Sequence, residues 1–207
     1  MPLLKHNNQS ISNVTSFPLI PAGSPTLLAT ATASSSASLS FNSTYINGDY
    51  QIYKFVLVNC HPQTDGVKLE FNLSTDNGSN YNVTKTTTLF DAYHRENDSS
   101  VGVGYNSSQD LAQSTSNQNL TPEIELSNAD DASASGTLTL FNPSSTTYVK
   151  HFMYVGNHMS STPPSWSVNT YMAGYGNTTT AVNAVRFIMN SGNIDAGQIK
   201  LYGLGAN

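Results

Sequence analysis

Charge, cysteine, tryptophan and long apolar runs are all scarce in this chain. Of its 207 residues only 10% are Asp, Glu, Lys or Arg, against about 25% in a typical soluble domain. There is one cysteine and one tryptophan. No apolar run approaches the ~18 residues of a membrane helix; the longest obvious one, Phe55-Val56-Leu57-Val58, is strand-sized. Each shortage excludes something. Eight Lys and Arg, scattered singly, make no basic stripe that could neutralise several phosphates, so nucleic acid is not an expected partner. A membrane is not expected either. Cys60, being alone, cannot close an intrachain disulfide and leaves the redox compartment unread; it reads as a small buried hydrophobe. Met1 to Ser10 shows no apolar h-region of a secretory signal.

Asn, Ser and Thr take the place of the missing charges. Hydrophobic residues make up 38%, under the usual 45–50%, a range that also counts Gly. Ser, Thr and Asn compete for backbone hydrogen bonds and disfavour long helices, whereas Thr and the eleven Tyr suit strands. Disordered chains carry high net charge and few aromatics. A net charge of −5 with 10% aromatics therefore points to a folded all-β protein.

Residues 1–30 read as an extended arm. Pro2, Pro18, Pro21 and Pro25 fall among small polar residues, and Ile11, Val14, Phe17, Leu19 and Ile20 are isolated apolar anchors. Proline removes donors and fixes φ, so this stretch does not suit a central strand. Its apolar residues are expected to dock on another surface.

Residues 31–207 read as a single antiparallel β-sandwich, jelly-roll-like. Ala37 to Phe41 alternates, and Tyr50 to Val58 is apolar on both faces and suits a central position. Val67, Leu69, Phe71 and Leu73 alternate with Lys68, Glu70, Asn72 and Ser74, which predicts a half-buried strand with the apolar set in the core. Further strands are expected at 87–93, 122–127, 136–141, 147–155, near 167–173, and in two runs that flank Ser191-Gly192-Asn193. Asn47-Gly48, Asp76-Asn77-Gly78-Ser79 and the Ser-Gly-Asn turn all read as hairpin turns, because Asn and Gly supply positive φ. The total is roughly nine or ten strands with no helical periodicity between them. Glu96 to Gln118 is the longest loop candidate, and a loop of that length suits function or an interface.

No catalytic constellation emerges. Cys60 and His61 are adjacent and point to opposite faces of a regular strand, so they form no dyad. His6, His61, His94, His151 and His158 stand at no metal-pair spacing. Asp91, His94, Glu96 and Asp98 form the densest polar cluster; it reads as loop solvation before a cation site or subunit contact. Glu123 and Glu125 would share a strand face about 7 Å apart, a spacing glycosidases use. No tryptophan stands beside them to stack a sugar, since the single one, Trp166, lies far along the chain. No metal or cofactor is expected.

Several stretches resemble a family of virion proteins of marine tailed phages. They are Ser34-Ser35-Ser36-Ala37-Ser38-Leu39-Ser40-Phe41, Asn59-Cys60-His61-Pro62-Gln63-Thr64-Asp65-Gly66, Asn82-Val83-Thr84-Lys85-Thr86-Thr87-Thr88, Leu140-Phe141-Asn142-Pro143-Ser144-Ser145-Thr146-Thr147-Tyr148-Val149-Lys150-His151 and Ser191-Gly192-Asn193-Ile194-Asp195-Ala196-Gly197. Asn7-Asn8-Gln9-Ser10-Ile11-Ser12 is similar to segments that tether tail-fibre-type proteins to a particle. The resemblance implies a non-enzymatic structural component of the virion, an appendage or tail-fibre-type protein held by its arm. A capsid decoration protein is the alternative, and a glycan hydrolase ranks below both. Expected partners are other virion proteins, further copies of the chain, with a trimer favoured, and a host-surface glycan or protein.

Overall fold

The computed structural model of the chain describes residues 24–122, 125–160 and 165–206. Among these it contains twelve strands and no helix: β1 (Thr26–Thr32), β2 (Leu39–Phe41), β3 (Tyr50–Pro62), β4 (Leu69–Ser74), β5 (Lys85–Arg95), β6 (Val101–Tyr105), β7 (Gln118–Asn119), β8 (Ala134–Phe141), β9 (Lys150–Met159), β10 (Trp166–Gly176), β11 (Ala184–Met189) and β12 (Ile194–Ala206). They form two antiparallel sheets. The larger has eight strands in the order β1-β12-β3-β8-β9-β10-β5-β6, and the smaller has four, β2-β11-β4-β7.

Alternation along β3 puts Tyr53, Phe55 and Leu57 inward, and in register with them stand Ile199 and Leu201 of β12 and Leu138 and Leu140 of β8. The small sheet answers with Leu39, Phe41, Phe71, Val185 and Phe187, all buried. Aromatic rings join the layers. Phe55 meets Phe41 at 5.4 Å and Phe187 at 5.5 Å between centroids, and Phe71 meets Phe152 of β9 edge-on at 5.2 Å. Such pairs contribute about 0.5–1.5 kcal/mol beyond the area they bury.

The all-β sandwich matches the expectation from sequence, and Val67, Leu69, Phe71 and Leu73 are all buried. Four details differ. First, β4 is not half-exposed: Asn72 and Ser74, on its other face, are buried too. Asn72 Nδ2 donates to Tyr81 O, Thr115 O and Asn117 Oδ1, so neighbouring loops cover that face. Second, the stretch Glu96 to Gln118 holds a strand, β6, that pairs with β5. Third, around 122–127 the described residues make only an isolated bridge at Leu126, to Val67 and to Ser160. Fourth, β1 begins at Thr26 and pairs with β12, so residues 26–30, expected to lie in the arm, belong to the sandwich. Its anchors Ile11, Val14, Phe17, Leu19 and Ile20 lie outside the described residues.

The three Asn-Gly and Ser-Gly turns are also not hairpins. Positive φ occurs as expected, at Gly48 (94°), Asn77 (60°), Gly78 (88°) and Gly192 (70°). Yet each turn carries the chain from the small sheet to the large one: β2 to β3, β4 to β5, β11 to β12. A left-handed residue reverses the chain but does not choose the next strand's partner. The partner is set here by which sheet has a free edge and which face is apolar.

One glycine is required by close approach. Gly197 has φ of 109°, and a Cβ there would lie 2.4 Å from the carbonyl oxygen of Asn59. Both residues sit where the β12–β3 register slips, and Asn59 itself has positive φ (49°). Two predictions follow from the packing. Phe71→Ala should destabilise the fold by about 3–5 kcal/mol in denaturant titration, as for a fully enclosed ring. Gly197→Ala should cost about 1–3 kcal/mol through backbone strain and the clash with Asn59; an unchanged midpoint would show that the two strands separate there without loss.

Candidate functional site

The large sheet is wider than the small one, so its strands β9, β10, β5 and β6 project as a wing. The inner face of β9 packs on the small sheet through Phe152 and Phe71, and that of β5 is covered in part by residues 106–122. Thr87 Oγ1 donates to Gln118 Oε1 and accepts from Leu111 N, while Lys85 exchanges backbone hydrogen bonds with Ser114. The outer face is open. Register places Tyr105, Phe90, Tyr171 and Val155 side by side across the wing, and Thr88, Ala173 and Met153 in the next row. Phe90 and Tyr171 stack at 4.9 Å, with their rings 9° from parallel. Phe90, Met153, Val155 and, at the edge, Val103 are 44%, 52%, 46% and 72% exposed. A shallow depression of about 440 Å³ lies between Thr86, Thr88, His151, Met153, Ala173 and Tyr175, and a smaller one of about 190 Å³ adjoins it at Phe90, Val155 and Tyr171.

The outward positions of all four wing strands hold no Asp, Glu, Lys or Arg. The first charge on this face, moving inward along the sheet, is Lys54 of β3. Exposed contiguous apolar surface rimmed by polar groups marks a contact site. Covering this one would desolvate rings and methyls without stranding a charge. At the rim, the Tyr105 hydroxyl donates to Asp110, whose carboxylate holds that hydroxyl above its ordinary pKa. The face is therefore suited to binding a protein segment or another flat surface.

The residues singled out from sequence lie elsewhere or apart. Cys60 is fully buried and faces the core, while His61 turns away and its Nδ1 lies 2.7 Å from Ala132 O. Asp91 points inward and is buried near Asn106 (3.4 Å), whereas His94 points outward to Asp98 (3.1 Å). The polar cluster is thus split between two faces of β5, as odd spacing on a strand dictates. Among the described residues no group of three His, Cys, Asp or Glu is placed to hold a metal ion. His151 lies on the outer face beside Tyr175, and His158 is buried. His6 and Glu123 fall outside the described residues. The fold does bring the segment at Leu126 close to Trp166, because Leu126 bridges Ser160 and Ser160 N donates to Trp166 O. The Trp166 ring is occupied, with the Arg95 guanidinium 4.2 Å from its centroid and Tyr93 edge-on. Sequence reading missed the wing face. Its signal was present in the absence of charge from both alternating sets of Lys150–Met159 after the first residue, an unusual pattern for a strand with one wet face.

No protein-family model, curated protein or solved structure matches the chain.

Two buried groups away from this face titrate in opposite senses. Lys85 is enclosed, donating to Asn72 Oδ1 (2.6 Å) and Val83 O (2.8 Å), and burial pushes its ammonium from 10.5 down to about 8. Burial pushes the Cys60 thiol from 9.0 up to about 12. Between pH 8 and 9 the unfolded chain keeps the Lys85 proton that the folded chain releases, so stability rises with pH, by about 1 kcal/mol. Above pH 9 the unfolded chain loses the Cys60 proton that the folded chain keeps, and stability is pulled down. The Lys85 gain continues toward pH 10.5, while burial raises Tyr154 as it does Cys60, so denaturant titrations should pass through a maximum between about pH 9 and 10. Lys85→Met should flatten the rise, leaving only the contribution of Lys150, which burial shifts the same way. Cys60→Ala should carry the maximum to higher pH.

Proposed function

We propose that this chain is a structural protein of a phage particle, a surface-exposed appendage or tail-fibre-type component, non-enzymatic and held by its N-terminal segment. The observation that carries the reading is the strand order. With β5, β6, β9 and β10 set aside, the other eight strands fall into two fours, β1-β12-β3-β8 and β2-β11-β4-β7. The first strand lies beside the last, and the chain passes from sheet to sheet at each step from β1 to β4. We read this as a jelly roll, an architecture used by viral capsid and lectin domains, with the wing as an addition to one sheet. The resemblance to marine phage virion proteins supports the same assignment.

The uncharged wing face supports a role in contact. A protein that spends its working life packed against others tolerates an apolar surface that a free monomer does not. Self-association into a trimer is part of the proposal, since closed cyclic symmetry is the usual way to satisfy such a surface. Host-surface glycan or protein contact belongs to the loops and edges left over. Capsid decoration is the second reading; the breadth of the flat, uncharged face favours it, because such a face suits lying on a shell.

Purified particles test the proposal directly. Mass spectrometry of virions should find the chain at fixed stoichiometry, and antibody labelling of intact particles should put it on the tail rather than the head. Head labelling would move the assignment to decoration, and absence from particles when the protein is abundant in infected cells would sink both. Light scattering of the purified protein should report a trimer at micromolar concentration; a monomer there would remove self-association from the proposal.

A further inference from the structure

We propose that β6 is a self-pairing edge. Two copies of the chain join their β6 strands antiparallel across a two-fold axis at Val103, so that their eight-stranded sheets run on into one another. The contact lies at the free edge of the wing and does not rest on the trimer proposed above. Alone it gives a dimer; combined with a three-fold contact it links trimers.

The large sheet ends at β6, whose one neighbour in it is β5. Two hydrogen bonds at the ends of this ladder, Arg95 N to Ser100 O and Asn106 N to Leu89 O, fix which way its backbone groups point. Bonded pairs alternate along an antiparallel ladder, so Gly102 and Gly104 turn their N–H and C=O toward β5. Those of Val101, Val103 and Tyr105 point out from the edge, and no described residue bonds to them. Sheet edges are blunted by charge, proline, a bulge or brevity. The other three edges show this: β1 slips register between Leu27 and Ala29, β2 has three residues and β7 two. β6 does not. Its five residues, Val-Gly-Val-Gly-Tyr, include neither charge nor proline, and its register with β5 runs without a slip. The side chains of Val101, Val103 and Tyr105 are all exposed.

A second β6 is the partner this edge matches. With Val103 of one copy opposite Val103 of the other, Val101 stands opposite Tyr105 at both ends. The three outward residues of each strand then give and accept one hydrogen bond apiece, and no outward group is left over. No like charges meet in this register, because the strand carries none. Gly104 is an independent sign. Its φ is not positive, and a Cβ there would meet nothing within 4 Å, so nothing in the single chain requires glycine. Glycine weakens a strand interior and marks the close approach of another backbone or ligand. In the pair, Gly104 lies opposite Gly102 of the other copy, where the Tyr93 hydroxyl lies 2.6 Å from the place of a Cβ. A side chain at 104 would run into that hydroxyl, and glycine leaves room for it. Five residues bury well under the about 1,600 Å² of a standard stable interface. The contact is therefore weak and forms above micromolar concentration.

Disulfide formation in the full chain tests the register. The chain has one cysteine, Cys60, and it is buried, so an introduced thiol reports alone. Bonded antiparallel neighbours have Cα atoms about 5.5 Å apart, which a disulfide spans. Under mild oxidation Val103→Cys should form a covalent dimer about ten-fold faster or more than Val101→Cys. The reason is that four residues, at about 3.4 Å each, part Val101 from its own copy. Val101→Cys mixed with Tyr105→Cys should give the mixed dimer. Equal rates for Val103→Cys and Val101→Cys, or no dimer from either, would overturn the proposal. Val103→Pro gives a second readout. The Val103 N–H faces away from β5, so proline leaves the ladder within the chain whole while blocking the edge. In sedimentation runs from micromolar to near-millimolar protein, the mass of the parent species should double and that of Val103→Pro should not. Doubling in both, or in neither, would overturn the proposal. The same runs read whether the species that doubles is a monomer or a trimer, so the trimer can fail while this contact stands, and the reverse.

Discussion

Phe41, Phe55 and Phe187 come from three strands, β2, β3 and β11, and meet between the two sheets. Much else follows from that contact. It joins a four-stranded sheet to the β1-β12-β3-β8 half of an eight-stranded one, which determines the inward face of each of those strands. It also determines how much of the large sheet the small one can cover. Phe152 of β9 still packs on Phe71 of β4, but the strands farther out gain little from these rings and must bury much of their inner faces against something else.

That something is irregular chain. Residues 106–117 run over part of this inner face, and polar groups hold several of them in place. Thr87 donates to Gln118, Gln118 and Asn72 donate to loop carbonyls, and Lys85 donates to Asn72. A buried ammonium held by neutral oxygens costs stability. The outer face of the same strands has no such cover among the described residues, and its uncharged surface is left open by that asymmetry.

The wing also bears on function. A sandwich with both outer faces polar would present little for a permanent partner to grip. Here one face combines stacked rings, valines and a methionine with threonines and asparagines, without a formal charge. Such a surface suits a neighbour that stays in place, whether another copy of the chain or a particle component. The chemistry that would suggest catalysis is dispersed instead: Cys60 faces the core, His61 turns away from it, and the carboxylates near His94 are split between two faces.

Some of this was legible in the residues alone. Scarce charge with abundant Thr and Tyr determined an all-β chain, and period-two alternation at Val67, Leu69, Phe71 and Leu73 determined their burial, because a strand's side chains alternate whatever it pairs with. The left-handed turns at Gly48, Asn77, Gly78 and Gly192 were legible for the same reason: positive φ is a local property of Asn and Gly. Partner choice was not, since a turn that begins a hairpin and one that crosses between sheets use the same residues. Only the tertiary structure decided that β11 and β12 lie in different sheets, that Thr26–Thr32 joins the body, and that the eight-stranded sheet extends past the four-stranded one at β5 and β6. Those outcomes depend on which edges and faces remain free once the core has formed, and that is a property of the whole assembly of strands.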